Sequence, residues 1–330
     1  MSKYLIIGSG AFGSALAQPL LFNGHQIDFY SINANELNEI KEHQTNSRYF
    51  RTNKFLHPIN KIYNNLQTAL IDNIYDVILL CVPSNALRSV IDILKTFDLR
   101  NQIILNAAKG MDLKTFQFWG DIIEKEVQCA AVFCLAGPSF AVEVFAQKPT
   151  KINILGANKT LAQQIKKDFQ TPWFSLAFSS QTSSANFLAS MKNVLAIGCG
   201  LVQGLYNSKN ALCAYLTQGV KEILLFLKTI YQADVNDFIS YFGFGDLILT
   251  CTDDKSRNFM FGFQLATNDA LDLINNNCST VEGLNALHGI NDLLNKHQLT
   301  NECPLFYHLY KVVYEQGCIK KYISLIFAQD

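Results

Sequence analysis

The sequence predicts an α/β fold in which an N-terminal, Rossmann-like, doubly wound sheet is followed by an all-α C-terminal domain. Three observations support this prediction. The first half of the chain alternates short apolar runs with amphipathic segments, as the strands and crossover helices of a parallel sheet do. A glycine-rich turn at residues 8–13 joins the first apolar run to the first amphipathic segment. Beyond about residue 180, strand-like runs become rare and helical spacing takes over.

The predicted strands follow one another along the first half. Residues 4–7 form a short apolar run typical of a buried strand, and residues 11–22 form its crossover helix. Residues 26–30 are predicted as the second strand. The later strands are predicted at residues 77–82, 103–105, 131–135, 152–155 and 173–178.

The second half has apolar residues at helical intervals, such as Phe187, Met191, Val194 and Ile197. The change of pattern falls in the polar stretch at 179–184. We therefore predict two domains, residues 1–180 and residues 181–330.

The composition indicates a large packed core and excludes several classes of protein. Of the 330 residues, 49% are hydrophobic and 16% are charged, which argues against disorder. The 27 basic and 27 acidic residues balance, so no overall field attracts nucleic acid or an anionic membrane. The nine cysteines include no C-x-x-C pair, which indicates reduced thiols and no metal site. No run approaches the ~18 apolar residues of a membrane span, so we expect a cytoplasmic protein.

The turn at residues 8–13 fits the pattern G-x-G-x-x-G between a strand and a helix. The first glycine allows a tight turn, the second lets a pyrophosphate approach the backbone, and the third lets the helix pack on the strand. The free N–H groups and the positive end of the helix then face the phosphates. The turn therefore predicts binding of NAD or NADP by residues Gly8, Gly10, Ala11, Phe12 and Gly13.

The position that distinguishes NAD from NADP carries no charge in this sequence. NAD-binding proteins usually have an acid at the end of the second strand, which binds the ribose 2′-hydroxyl. Residues 30–33 contain neither a carboxylate nor an arginine. Asp28 lies within the strand, and we expect its side chain to point away from the cofactor or into a helix contact. The preference between NAD and NADP stays open.

Lys192 is a candidate catalytic residue, because it interrupts an otherwise apolar helix. Reduction of a ketone by hydride leaves charge on the carbonyl oxygen, and a cation or proton donor there lowers the barrier. The alternative is a lysine at a helix end that extends its ammonium group to water. Asp246 follows a Gly-x-Gly turn, so it could be a helix N-cap, with Thr250 one turn later on the same face.

Several further segments follow in a fixed order along the chain, at residues 106–110, 136–143, 191–198, 243–251, 256–258 and 281–283. In this order and spacing they resemble the bacterial type of NAD(P)-dependent glycerol-3-phosphate dehydrogenase. The resemblance spans residues 3 to about 290. It implies reversible reduction of dihydroxyacetone phosphate to sn-glycerol 3-phosphate with NAD(P)H, which supplies glycerophospholipid synthesis. The apolar, helical second domain is in addition consistent with a homodimer.

The resemblance also implies a role for each matching residue. The catalytic residues would be Lys192, Asn193, Asp246 and Thr250. The substrate would contact Lys109, Gly137, Ser139, Ser256, Arg257 and Asn258. Beyond the glycine turn, the cofactor would contact Lys109, Ala141, Arg257 and Glu282. Arg257 suits the substrate phosphate because a guanidinium group binds phosphate oxygens in pairs, although a lone arginine is more often an ordinary surface residue.

Two loops depart from the family pattern. The family commonly has an asparagine followed by a tyrosine-leucine-proline-glycine stretch before the third strand, whereas residues 46–51 keep only part of it. The turn at residues 204–212 is also altered, and Leu212 stands where an arginine is common. These changes concern loop conformation or affinity more than the reaction.

Two other functions are also compatible with the sequence. Ketopantoate reductases and β-hydroxyacid dehydrogenases also combine a glycine turn with a helical lysine and asparagine, but they lack the combination of segments 137–139, 246–250 and 256–258. A dinucleotide sensor without catalysis would bind the cofactor and turn over no ketone. The presence of Lys192, Asp246 and Thr250 together argues against a sensor.

Overall fold

The computed structural model describes residues 1–108, 117–233, 235–267, 272–273 and 281–327, with Leu325 described by its backbone alone. The chain divides into two compact units, Met1–Thr182 and Ser183–Asp330. The first unit contains the sheet. Its eight strands are β1 Lys3–Ile7, β2 Gln26–Tyr30, β3 Lys61–Tyr63, β4 Val77–Leu80, β5 Leu99–Asn106, β6 Cys129–Ala136, β7 Thr150–Leu155 and β8 Phe174–Ser179.

The strands lie in the order β3-β2-β1-β4-β5-β6-β7-β8. Strands β2 and β3 therefore lie on one side of β1, and β4 to β8 lie on the other. Helices connect them, and consecutive residues of β1 point to opposite faces: Tyr4 and Ile6 enter one apolar cluster, Leu5 and Ile7 the other. The sheet is thus covered on both faces, which is why central strands such as β1 and β4 are apolar along nearly their whole length. The predicted Rossmann-like fold is confirmed.

The helices of this unit are α1 Ala11–Phe22, α2 Ala34–His43, α3 Ser47–Phe50, α4 Leu66–Asp72, α5 Ser84–Leu94, α6 Trp119–Glu126, α7 Ala141–Phe145 and α8 Lys159–Phe169. The expectation of a parallel sheet is wrong for one pair, because β6 and β7 are antiparallel. The connection between them, residues 137–149, contains only the five-residue helix α7. Such a helix spans about 8 Å, whereas a strand of eight residues spans about 26 Å, so α7 alone is too short to be a crossover helix of the kind that joins parallel strands.

Asp28 has a structural role inside the sheet. Its buried carboxylate accepts hydrogen bonds from Asn60 Nδ2 at 2.7 Å and Tyr75 Oη at 3.0 Å, and Lys3 Nζ lies 3.7 Å away. Burial and the Asp28 carboxylate raise the pKa of Tyr75, so its hydroxyl stays protonated and donates. Asp28 therefore binds neighbouring segments of its own unit.

The second unit contains only helices among its described residues. They are α9 Thr182–Tyr206, α10 Lys209–Tyr231, α11 Val235–Phe238, a π-helix at Tyr241–Gly245, α12 Asp246–Thr252, α13 Arg257–Leu265, α14 Glu282–Lys296, α15 Pro304–Tyr314 and α16 Ile319–Phe327. This confirms the all-α character predicted for the second half of the chain.

Helix α9 is long and apolar enough to cross a membrane by length and composition alone. However, 83% of its most apolar 18-residue window is buried inside the protein. An apolar surface that is covered by the protein's own helices characterises a core helix of a globular unit. We therefore interpret α9 as the central helix of the second unit.

Glu222 on α10 has a buried carboxylate that contacts the first turn of another helix, α15. Its two oxygens accept hydrogen bonds from the backbone N–H groups of Leu305 at 2.9 Å and Phe306 at 3.2 Å, in the first turn of α15. These bonds favour the charged form, but burial outweighs them and raises the pKa of Glu222 to about 7.

We expect Glu222→Gln to change the free energy of unfolding in a pH-dependent way. The pKa of Glu222 is about 7 in the folded protein against an ordinary 4.5, so the folded state binds more protons between these values. The wild-type protein therefore loses stability as the pH rises through this window, whereas the variant has no such titration. Chemical unfolding at pH 5 and pH 8 should show the variant gaining on the order of 2 kcal/mol relative to wild type. A difference that is independent of pH would contradict this expectation.

Candidate active site and nucleotide site

The glycine turn joins β1 to α1, and its geometry requires glycine at two positions. Gly8 has φ +110°, and a Cβ there would lie 2.6 Å from the carbonyl oxygen of Cys81, the residue directly after β4. A Cβ at Gly13 would lie 2.1 Å from the Gly8 oxygen. These contacts bring the helix close to the strand, as the sequence pattern predicts.

Gly10 differs from the other two glycines, since its surroundings are open. The nearest atom to a Cβ placed there would be the Tyr49 hydroxyl, 3.9 Å away. Helix α1 begins directly after Gly10, and no side chain caps its first turn. Space above the backbone and uncapped N–H groups at a helix start suit an anion. The residues present therefore fit a dinucleotide pyrophosphate, and Ala11 and Phe12 provide the first N–H groups of the helix.

Ser9, between the glycines, is held by three side chains. Its carbonyl oxygen accepts hydrogen bonds from Asn46 Nδ2 at 2.7 Å and Ser14 Oγ at 2.8 Å, and its hydroxyl donates to Glu36 Oε2 at 2.9 Å. Asn46 precedes α3 in the loop that departs from the family pattern. The sequence did not single out Glu36, because nothing in the pattern of α2 shows that this acidic residue is buried.

The end of β2 contains no charged group, as the sequence indicates. Ser31 Oγ accepts from the backbone N–H of Asn33 at 3.2 Å, and the Asn33 side chain caps α2 by accepting from Glu36 N at 3.2 Å. Ile32 is 89% exposed. The polar side chains here are thus engaged in the local structure of the chain.

Lys192 and Asp246 form a buried ion pair in the second unit. Lys192 Nζ donates to Asp246 Oδ2, and both side chains are nearly inaccessible to water. Lys192 lies well inside helix α9, so the alternative of a lysine at a helix end that reaches solvent is wrong. Burying two charges is costly unless they pair, so a pair of this kind often serves a function.

Asp246 is the first residue of α12 and directly follows the π-helix. The N-cap position is Gly245, and no side chain caps this helix start, so the alternative of an N-cap aspartate is wrong. Thr250 Oγ1 donates to the Asp246 backbone oxygen at 2.6 Å. Short π-helices occur frequently at functional sites, and here one directly precedes the buried Asp246.

A network of amide groups connects α9, α13 and α14, and it includes Asn193, the residue after Lys192. Asn258 Nδ2 donates to Asn193 Oδ1 at 3.0 Å, and Asn258 Oδ1 accepts from Gly283 N at 2.9 Å. Asn193 Nδ2 donates to Glu282 Oε2 at 3.3 Å. Residues from three of the predicted segments therefore meet in one place.

Arg257 and Ser256 stand at the start of α13. Arg257 is 65% exposed, and its Nη2 lies 3.8 Å from Glu282 Oε1, so its guanidinium group is loosely held. Ser256 caps the helix by accepting from Phe259 N at 3.3 Å. An arginine of this kind can rotate toward an anion at little cost. The Ser256 hydroxyl, in contrast, already accepts a hydrogen bond from the helix backbone.

The remaining predicted contacts lie in the first unit. Gly137 has φ +145°, and Ser139 Oγ donates to its carbonyl oxygen at 3.1 Å, after the end of β6. Ala141 begins α7. Lys109 lies outside the described residues.

Comparison with known proteins gives a consistent result for both units. Residues 3–162 match the family described as NAD-dependent glycerol-3-phosphate dehydrogenase N-terminus, and residues 182–324 match the C-terminus of the same family. A glycerol-3-phosphate dehydrogenase [NAD(P)+] of Malacoplasma penetrans is 33% identical, over 94% of this chain and 92% of that protein. The one from Levilactobacillus brevis is also 33% identical, over 99% of this chain and 98% of that protein.

Solved structures agree with these sequence matches. The crystal structure of glycerol-3-phosphate dehydrogenase from Coxiella burnetii superposes with a TM-score of 0.84 at 26% identity, over 99% of each chain. A glycerol-3-phosphate dehydrogenase from Plasmodium falciparum gives a TM-score of 0.87 at 20% identity, over 100% of this chain and 96% of the other. The second similarity supports the fold alone.

The open surroundings of Gly10 lead to a prediction for Gly10→Ala. The added methyl group meets nothing in the folded chain closer than 3.9 Å, so the unfolding temperature should stay near the wild-type value. The methyl group would occupy the space where a pyrophosphate approaches the backbone, so the dissociation constant of NADH should rise by about tenfold or more. Fluorescence titration and thermal unfolding measure the two quantities.

Gly13→Ala is the matched control for this prediction, because its methyl group would lie 2.1 Å from the Gly8 oxygen. This variant should lose about 2 kcal/mol or more of stability through overpacking. If Gly10→Ala bound NADH as wild type does, the pyrophosphate would not lie over Gly10.

Proposed function

Because the chain belongs to the NAD-dependent glycerol-3-phosphate dehydrogenase family, we propose that its buried Lys192–Asp246 pair is the catalytic centre of this activity. The protein is an oxidoreductase that uses NAD or NADP and reduces dihydroxyacetone phosphate to glycerol 3-phosphate. The observation that carries the proposal is the position of Lys192, a charged group fixed inside an apolar helix of the second unit.

Reduction adds a hydride to the carbonyl carbon and a proton to the carbonyl oxygen. The reduced nicotinamide supplies the hydride when it is bound. Lys192 supplies the proton, or stabilises the negative oxygen as a fixed cation. A cation in a site that excludes water stabilises developing charge more strongly than it does in solvent. Lys192 then regains a proton from water.

Asp246 is proposed to fix the ammonium group of Lys192 in direction. The carboxylate is held at the start of α12, and the hydrogen bond from Thr250 to the Asp246 carbonyl oxygen supports that turn. A side chain with four rotatable bonds is thereby restricted to one position, which lowers the entropy lost in the transition state.

The amide network is proposed to position the groups that contact the ligands. Asn193 would orient the substrate, with Asn258 holding its amide in one orientation, and Glu282 would lie at the nicotinamide end. Arg257 would bind the substrate phosphate. The other proposed substrate contacts are Lys109, Gly137, Ser139 and Ser256, and the cofactor contacts are Gly8, Gly10, Ala11, Phe12, Gly13, Lys109, Ala141 and Arg257.

The wider role is also a proposal. Residues 1–180 would bind the dinucleotide and residues 181–330 would carry substrate binding and catalysis. A reduced three-carbon phosphate is the backbone of glycerophospholipids, so the product would supply their synthesis in the cytoplasm. A homodimer is supported by exposed apolar side chains of the helical unit, such as Leu205, Tyr206 and Phe263. Light scattering of the purified protein would test the dimer.

The two alternative functions receive no support from the relatives reported above. These proteins are named as glycerol-3-phosphate dehydrogenases, and none of them as a ketopantoate reductase or a sensor. An assay that compares NADH oxidation with dihydroxyacetone phosphate and with ketopantoate tests the substrate. Preferred turnover of ketopantoate would overturn the assignment.

The catalytic role of Lys192 is tested by Lys192→Ala. We expect kcat to fall by at least about two orders of magnitude, because the developing charge on the carbonyl oxygen loses its cation and proton donor. The change also removes the lysine partner of a buried carboxylate, so thermal unfolding must show that the variant is folded at the assay temperature. Lys209→Ala, which alters an exposed lysine on α10, is the matched control. A folded variant with wild-type turnover would remove Lys192 from the mechanism.

The phosphate role of Arg257 is tested by Arg257→Ala. We expect KM for dihydroxyacetone phosphate to rise about tenfold or more, since a charge-assisted hydrogen bond is lost. Turnover of unphosphorylated dihydroxyacetone, measured in parallel, should hardly change. Lys255→Ala alters an exposed cation two residues away and serves as the control. An unchanged KM in Arg257→Ala would assign the phosphate to another residue.

A further inference from the structure

The ribose 2′ position of the coenzyme distinguishes NAD from NADP, and the end of β2 offers no charged group to read it. In dinucleotide-binding folds an acid or an arginine near the end of the second strand normally has this role. Here the Ser31 hydroxyl and the Asn33 side chain accept hydrogen bonds from the backbone at the start of α2. A different group must recognise the 2′ substituent if it is recognised at all.

Two charged side chains lie beside the glycine turn instead. Glu36, in the first turn of α2, accepts the hydrogen bond from Ser9 with one oxygen. Its other oxygen accepts from Arg48 Nη1 and from the Tyr49 hydroxyl, each at 3.3 Å. Helix α3 thus carries a guanidinium group to the place where the end of β2, the start of α2 and the glycine turn meet.

The two members of this pair differ in how firmly they are held. The Glu36 side chain is 9% exposed and accepts hydrogen bonds from the hydroxyl groups of Ser9 and Tyr49, whereas the Arg48 side chain is 67% exposed. Arg48 is kept near the turn by a single hydrogen bond and by stacking over the Tyr49 ring, 5.4 Å from its centre. Exposed ion pairs of this geometry contribute little to stability. The guanidinium group can therefore leave Glu36 for a stronger anion without disturbing the turn.

We propose that Arg48 recognises the 2′-phosphate of NADP(H), and that Glu36 is the counter-charge that keeps NAD(H) acceptable. The inference rests on the proposed function, in which the glycine turn binds the coenzyme. When NAD(H) binds, Arg48 remains paired with Glu36, and no positive charge is left without a partner near the ribose. When NADP(H) binds, the phosphate takes the arginine fork, which matches its oxygens, and the fixed Glu36 carboxylate partly opposes it. Such a pair would allow one site to accept both coenzymes.

The test is equilibrium binding of NADPH and NADH to Arg48→Ala, measured by titration without substrate. The dissociation constant of NADPH should rise by about tenfold or more, because a charge-assisted contact to phosphate is lost, while that of NADH should change less than about twofold. Adenosine 2′,5′-bisphosphate and 5′-AMP, which lack the nicotinamide, should show the same difference. Arg48→Lys should fall between wild type and Arg48→Ala, because an ammonium group keeps the charge but loses the fork.

Arg51→Ala is the matched control, since it removes an exposed arginine from the same loop. An equal loss of NADPH affinity in this variant would show a general effect of charge and overturn the proposal. Equal losses for both coenzymes in Arg48→Ala would overturn it as well. Glu36→Gln should raise the affinity for NADPH relative to NADH, and a fall in that ratio would remove Glu36 from the proposal. A wild-type protein that bound neither coenzyme would overturn the proposed function together with this inference.

Discussion

The buried ion pair between Lys192 and Asp246 is the constraint on which the helical unit depends. An ammonium group and a carboxylate inside an apolar core are tolerated only when they hold each other, so both helices that carry them must keep their positions. Helix α9 is apolar along most of its length because it forms the centre of this unit. The single lysine near its middle is therefore costly to bury, and its partner Asp246 directly follows the π-helix.

The nucleotide side of the protein depends on a different constraint, the path of the backbone at residues 8–13. Gly8 and Gly13 allow strand and helix to touch, and Gly10 keeps the space above the turn open. Ser9 is fixed by Asn46 and Glu36, which come from later segments of the chain. The loop at residues 46–51 departs from the family pattern in sequence, yet it still provides the asparagine that anchors the turn. Arg48 in this loop brings a positive charge to Glu36, beside the same turn.

The fold could be predicted from the sequence wherever a local pattern decides the structure. The apolar run at residues 4–7 indicates a strand buried on both faces, and β1 is such a strand. The sequence does not indicate strand β3, because this strand has only three residues and is partly exposed. The antiparallel direction of β7 could not be predicted either, since the composition of a strand does not show its direction.

For the candidate site, the sequence by itself determined which residue types are available and the order in which they follow. It identified the glycine turn, the lysine in an apolar helix and the segments around Asp246, Arg257 and Glu282, because each stands out from its neighbours. Only the tertiary structure decided between the alternatives. It paired Lys192 with Asp246 rather than with solvent, and it brought Glu36 and Arg48 to Ser9. The physical reason is that burial and pairing of charges depend on how helices pack, and residues far apart in sequence carry no mark of that contact.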